Sequence, residues 1–413
     1  MRNLSDNPIG RWATTGGGRF PELQRQVRVR SRDYILWLAL ACGIVTPCLY
    51  LLGVISIDTV NMLGRYLALA LVAISLDLVW GYTGMLSLCQ AFFFSLGGYA
   101  MGMYLAHHGG PEGIIDGAGW KIPACLYVVY PYGVGEAPAD AMTPWFWKPF
   151  YSLPGTVVLG LLIPGFVALV LGFFVFRSGV RGVFFAVLTQ AVTLAAWLVF
   201  CMNNMKLCGT NGLTRFDRLA GFQLSEPSTR LGLYVITLAS LVFVYWLCSF
   251  IINSRLGRVL VAIRDNETRL RFAGYKPHLF KMFVFSISAM IAGLGGMLYA
   301  PQMGIFTPTN MEVKESILVV VWVAVGGRGT LGGAIAGALL VNLLYNFLTS
   351  RQEFFFFLED WVSPAVYEKL VWSPEYWPFV LGGLFIVVVR FFPDGLATTV
   401  WRRWSNPGGE VLS

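Results

Sequence analysis

The side chains best suited to handling a polar solute are embedded in apolar sequence. Ser87 and Gln90 closely follow Gly81, Tyr82, Thr83 and Gly84, and Thr189 and Gln190 interrupt the run VFFAVLTQAVTLAAWLVF. Hydroxyls and amides donate and accept hydrogen bonds without carrying charge, so such groups can line a path for a neutral polar molecule. They serve equally well to bond one helix to another. Asp77 is the sharper case: an ionised carboxylate at mid-bilayer costs about 2.5–3.5 kcal/mol, so it must face a partner, a cavity or interfacial water. No residues are spaced for catalysis: H-E-x-x-H, G-x-S-x-G, clustered His and Cys, and paired carboxylates within an apolar run are all absent from the sequence. The three His (107, 108 and 278) have no metal-site spacing. A G-x-x-x-x-G-K-[ST] loop is also missing, so nucleotide phosphates have no P-loop here.

The elements that must hold these groups are helices in lipid. The 413 residues are 56% hydrophobic and 13% charged, against about 45–50% and about 25% in soluble domains. That composition excludes a soluble enzyme, and the net charge of +8 is read loop by loop as membrane orientation rather than as nucleic-acid affinity. At about 20 apolar residues per crossing, the sequence predicts an all-α polytopic membrane protein with ten spans: 34–55, 60–80, 85–106, 154–176, 182–202, 231–252, 280–300, 315–327, 330–348 and 377–393.

Residues 1–33 carry seven Arg and three acids and read as a cytosolic tail, as do residues 401–413; the membrane-embedded body is 34–400. Arg177 and Arg181, the seven Lys/Arg of 253–281, Arg328, Arg390, Arg402 and Arg403 then all fall inside, as the positive-inside rule requires. Loops 107–153, 203–230 and 349–376 fall outside; 203–230, with Lys206, Arg215, Arg218 and Arg230, is the exception to the charge rule. Of seven Cys none forms C-x-x-C. A disulfide between Cys125 and Cys208 in the outer loops is conceivable, although the odd total and the spacing count against one.

Small residues punctuate the spans. Gly98 with Gly102 and Gly333 with Gly337 are G-x-x-x-G pairs, a spacing that lets helix backbones approach. The clusters Gly81 to Gly84 and Gly326 to Gly329 also permit a helix break, tolerable in a membrane where protein or a wet cavity meets the backbone.

Between two spans lies SRLGRVLVAIRDNETRLRFAGYKP. Leu256, Val259, Leu260 and Ile263 share one helix face, with Arg258 and Arg264 away from its centre. A second short helix follows, capped by Asp265 or Asn266, with Glu267 suited to its positive end, Arg269 and Arg271 to the other, and Gly274 then Pro277 as stops. Segment 255–276 therefore reads as a handle for a cytosolic partner, although a solvated loop helix has the same pattern.

The strings GYTGMLSLCQAFFFSLGGYAMGMYL (81–105), TNGLTRF (210–216), RVLVAIRDNE (258–267), VVVWVAVGGRGTLGGAIAGALLVN (319–342) and FFPDGL (391–396) resemble the LivM-like permeases of branched-chain-amino-acid-type ABC importers. Within that family LDLVWGYTG, GGYAMGMYL, PWFW (144–147) and APQMGIFTP are most similar to the urea permease branch, the UrtC-type subunits. The resemblance implies a subunit of the bacterial plasma membrane. It implies a second homologous permease, two cytosolic ATPases that bind the ATP, and an external solute-binding protein as partners. Asp265 to Gly274 is similar to the segment that couples such permeases to their ATPases. Amino-acid members often carry Gly-His where this chain has Cys89 and Gln90, so no role of that His transfers.

Overall fold

The computed structural model describes residues 45–50, 52–109, 123, 125–126, 144–180, 182–349 and 382–383. Nine helices of more than ten residues run through them: α1 (Ile57–Thr83), α2 (Gln90–His108), α3 (Leu153–Arg177), α4 (Val183–Cys201), α5 (Pro227–Asn253), α6 (Arg255–Phe272), α7 (Pro277–Met303), α8 (Val313–Gly326) and α9 (Leu331–Thr349). A two-stranded antiparallel ribbon, β1 (Arg218–Leu219) with β2 (Phe222–Gln223), sits in the loop before α5.

Helices α1, α3, α4, α5 and α7 are long and apolar enough to cross a membrane, and α8 with α9 forms a pair bent by 117° that passes the same test jointly. Eight of the ten expected spans are helical, as α1 to α5 and α7 to α9. By length and apolarity, however, these give five or six crossings among the described residues rather than eight, because α2 does not pass singly and α8 with α9 counts as one broken span. The expected span 34–55 is helical at 45–50 and turns at 52–55, where the Leu52 N–H donates to the Cys48 carbonyl at 2.9 Å. Residues 34–44 and 51, like the tails, residues 350–376 and nearly all of 377–393, lie outside the described residues.

Two boundaries differ from expectation. The span expected at 85–106 begins as a helix only at Gln90, because α1 runs on to Thr83 and ends at Gly84, whose φ of +78° closes the helix in a left-handed cap. Residues 84–89 are therefore non-helical backbone. They are seated on α4: Thr189 Oγ1 accepts from the Leu88 N–H at 3.0 Å, and Thr193 Oγ1 donates to the Leu88 carbonyl at 3.1 Å. Spans eight and nine are the two arms of the bent pair, joined by residues 327–330.

Helix α7 is the hub, packed on α2, α3 and α1, while α1 also meets α5 and the α8–α9 pair. Backbones touch where α2 meets α7: a Cβ on Gly97 would strike Gly293, and one on Gly296 would strike the Phe94 carbonyl. Closeness of this kind supplies the dispersion contacts that hold helices together in lipid, where burying apolar surface gains little. The pairs named from sequence divide: Gly333 and Gly337 pack against Gly326 and Trp322 across the bent pair, whereas Gly102 receives Leu213 of a loop, and Gly98 receives Phe306 of a loop while its backbone also meets Gly296 of α7.

Candidate functional site

The basic segment folds as expected into two rods. Ser254 caps α6 by accepting from the Leu256 N–H at 3.2 Å; Leu260 and Ile263 are buried and Arg258 is exposed. At Asn266 the backbone is extended (φ −159°, ψ 92°), which breaks α6 in two. Asn266 Oδ1 then accepts from the Arg269 N–H at 3.0 Å and starts the second rod, so Asn266 rather than Asp265 is the cap. Gly274, at φ +85°, ends it, with its N–H on the Arg271 carbonyl at 3.0 Å. Asp265 and Arg269 remain exposed, and Phe272 is 88% exposed.

Glu267 is a bridge rather than only a dipole partner. Its carboxylate meets Arg271 at 2.8 Å and Lys281 of α7 at 2.8 Å, with side chains only 12% and 8% exposed at Glu267 and Lys281. An ion pair this shielded fixes the second rod to α7 more firmly than an open surface pair would.

Arg264 turns inward. Its Nη1 donates to the Gly81 carbonyl at 2.9 Å, at the end of α1. The same end of α1 grips the turn 327–330. The Gly329 N–H donates to Asp77 Oδ1 at 2.7 Å, the Tyr82 hydroxyl donates to the Gly329 carbonyl at 3.0 Å, and Arg328 donates to the Trp80 carbonyl at 3.0 and 3.2 Å while lying over the Trp80 ring. Asp77 is fully buried. Its partner is a backbone N–H of the bent pair, which satisfies one carboxylate oxygen where the sequence required some partner. Side chains other than hydrogen would not fit this joint, since a Cβ on Gly81 would come within 2.7 Å of Gly329. Segment 255–276, the end of α1 and the bend of α8–α9 thus form one hydrogen-bonded unit.

The residues set out as a polar path do not come together as one lining. Gly81, Tyr82 and Gly84 belong to this joint, Gly84 lying against Arg264; Thr83 bonds its own helix at Val79. Gln90 is 1% exposed and ties three helices: Ser75 Oγ donates to its Oε1 at 3.2 Å, and its Nε2 donates to Ser288 Oγ at 3.0 Å. Ser288 in turn donates to the Ser75 carbonyl at 2.6 Å, so every member of the node is bonded. Ser87 pairs with Cys89, and Thr189 holds Leu88. Only Gln190 has a buried side-chain amide with no hydrogen-bond partner among the described residues.

At the opposite end a cavity of about 360 Å³ opens between the first half of α1, the start of α8 and the end of α9. Arg65, Lys314 and Glu315 bring charge of both signs, and Asn310, Asn342 and Tyr66 bring neutral donors and acceptors. None of the path residues expected from sequence lines it. Its polar residues come from stretches far apart in the chain: Arg65 and Tyr66 on α1, Asn310, Lys314 and Glu315 at and before the start of α8, and Asn342, Tyr345 and Asn346 on one face of α9. The sequence does not show that these sets meet. The loops that hold Cys125 and Cys208 are joined by a disulfide, the pairing that the Cys count argued against.

The comparisons agree with this architecture. Residues 59–389 match the family model described as branched-chain amino acid transport system / permease component. The chain is 25% identical over 390 residues to the high-affinity branched-chain amino acid transport system permease protein LivM of Escherichia coli K12, covering 89% of this chain and 75% of the relative. It is 27% identical over 259 residues to the autoinducer 2 import system permease protein LsrC of Salmonella paratyphi B, covering 61% and 66%. No solved structure matches. A helical body with several membrane-length spans, an embedded helix break and a match over most of its length leave one assignment: the chain belongs to the permease family of branched-chain amino acid transport systems.

Proposed function

We propose that this permease is the membrane half of an ATP-driven importer of the ABC type and that its solute is urea. The observation that carries the importer reading is the run of contacts from exposed Asp265, Arg269 and Phe272 through Arg264 to Gly81 and on to Gly329. A partner pressing on the two rods moves the end of α1 and the bend of α8–α9 together, which is what alternating access needs. Charge supports the orientation: Arg177, the Lys/Arg of 253–281 and Arg328 share one end, as the positive-inside rule expects of a cytosolic face. The partners are two ATPase subunits gripping 255–276, a second permease, and a solute-binding protein at the outer face. With no P-loop of its own, the chain leaves ATP to those ATPases.

The urea reading rests on LDLVWGYTG, GGYAMGMYL, PWFW and APQMGIFTP and on the amides and hydroxyls of the outer cavity. Urea is neutral and planar, with one acceptor and four N–H donors, so groups such as Asn310, Asn342 and Tyr66 match it without charge. Branched-chain amino acids are the second reading. Arg65 and Lys314 with Glu315 in that cavity suit a carboxylate and an ammonium, and the Escherichia coli relative is a branched-chain amino acid permease.

Uptake of labelled urea by cells carrying the whole system decides between them. ATP-dependent uptake that a hundredfold excess of leucine leaves unchanged is the expected result. Leucine uptake that excess urea leaves unchanged would establish the second reading, and urea flux persisting in ATP-depleted vesicles would replace both with a passive channel.

A further inference from the structure

A second cavity, of about 590 Å³, opens at the basic end between the last turn of α3, the linker after α6 and the first turn of α7. Arg177, Arg271 and Lys276 bring positive charge to its lining, Ser178, Tyr275 and His278 add further polar groups, and no carboxylate lines it among the described residues. The nearest acid in the network, Glu267, is committed to Arg271 and Lys281. Helix α7 starts here with Pro277 in its first turn and no side chain capping it, so its positive dipole end adds to the field of the side chains.

The cavity is also half apolar. Phe173, Phe176 and Met282 line it, and the Arg177 guanidinium lies 5.3 Å from the centre of the Phe173 ring. Phe166, Phe173 and Phe174 then continue down α3 as exposed apolar surface. A free anion would use the cations and leave this strip idle. Phosphate with acyl chains attached uses both.

We infer that the cavity between α3 and α7 is a binding site for an anionic phospholipid, its phosphate held by Arg177 and Lys276 and its chains lying along α3. The position suits a headgroup, because Arg177 ends a 25-residue apolar helix and so sits where hydrocarbon gives way to water. The inference rests on the reading of α3 and α7 as membrane spans with their basic ends on the leaflet that carries anionic lipid. Arg271, Tyr275 and Lys276 are shared by the cavity and the coupling segment, so a bound lipid touches the handle itself.

The test uses the detergent-purified full complex and native mass spectrometry with added phosphatidylglycerol, phosphatidylcholine or inorganic phosphate. Retention of phosphatidylglycerol in preference to phosphatidylcholine is expected. Arg177→Gln with Lys276→Gln should weaken it about thirtyfold, while Arg177→Lys, which keeps the charge, should retain most of it. Equal retention by the double variant and the native chain would overturn the site, as would displacement of the lipid by millimolar inorganic phosphate. The readout needs no transport, so loss of ATP-dependent uptake, which would sink the importer reading, remains a separate result.

Discussion

In α1 and α7, 78% and 61% of the apolar window is buried; in α3, α4 and α5 the figures are 28%, 22% and 33%, although these three are the more apolar helices. A protein in water sorts the other way. Here the surroundings of the outer helices are as oily as their side chains, so apolarity gives no reason to be inside. What admits a helix to the centre is shape and hydrogen bonding. Helices α1, α2 and α7 carry the touching glycines and the Ser75–Gln90–Ser288 node, whereas α4 and α5 present Phe184, Val187, Trp246 and Phe250 outward. The central three make the fixed frame, and the joint at Gly81 is attached to the end of that frame.

This contrast breaks most readily at the central glycines. Gly296→Leu puts a side chain into the Phe94 carbonyl and should cost about 3 kcal/mol or more, seen as loss of a monodisperse peak in fluorescence size-exclusion. Gly232→Leu, on α5 where a Cβ would meet nothing within 4 Å, should leave the peak unchanged. Similar behaviour of the two would erase the distinction between centre and rim.

A smaller effect is expected at the joint. Arg264→Ala removes the bond to Gly81 and should lower uptake about tenfold in a complex that still assembles and hydrolyses ATP. Uptake and hydrolysis falling together would place Arg264 in ATPase docking instead. Smallest is Gln90→Leu, expected to cost about 1 kcal/mol, read as a modest drop in melting temperature. A folded Gln90→Leu protein with no uptake would return Gln90 to the solute path.

The sequence was most legible where the information is local. Apolar run lengths located eight helices, and the spacing around Leu256 to Pro277 gave the two rods, a cap at Asp265 or Asn266 that the structure assigns to Asn266, and the Gly274 stop, because caps and faces depend on residues three or four apart. What it left open was the neighbour. Periodicity set Arg264 off the apolar face but could not show that Gly81 lay beside it, 183 residues away. The same gap explains the glycines: Gly98 and Gly102 have the familiar spacing, yet only Gly98 of the two meets α7, beside Gly97, Gly293 and Gly296, since which face meets a partner is decided by the whole bundle. The cavity beside Arg65 and Lys314 was missed for that reason too, its lining coming from distant stretches of chain.

The extended residue at Asn266 has a mechanical consequence. With the first rod pinned at Gly81 and the second pinned at Lys281, the segment works like a bell crank: torque applied to it arrives at two separate anchor points, and the angle between its arms sets how the stroke is shared.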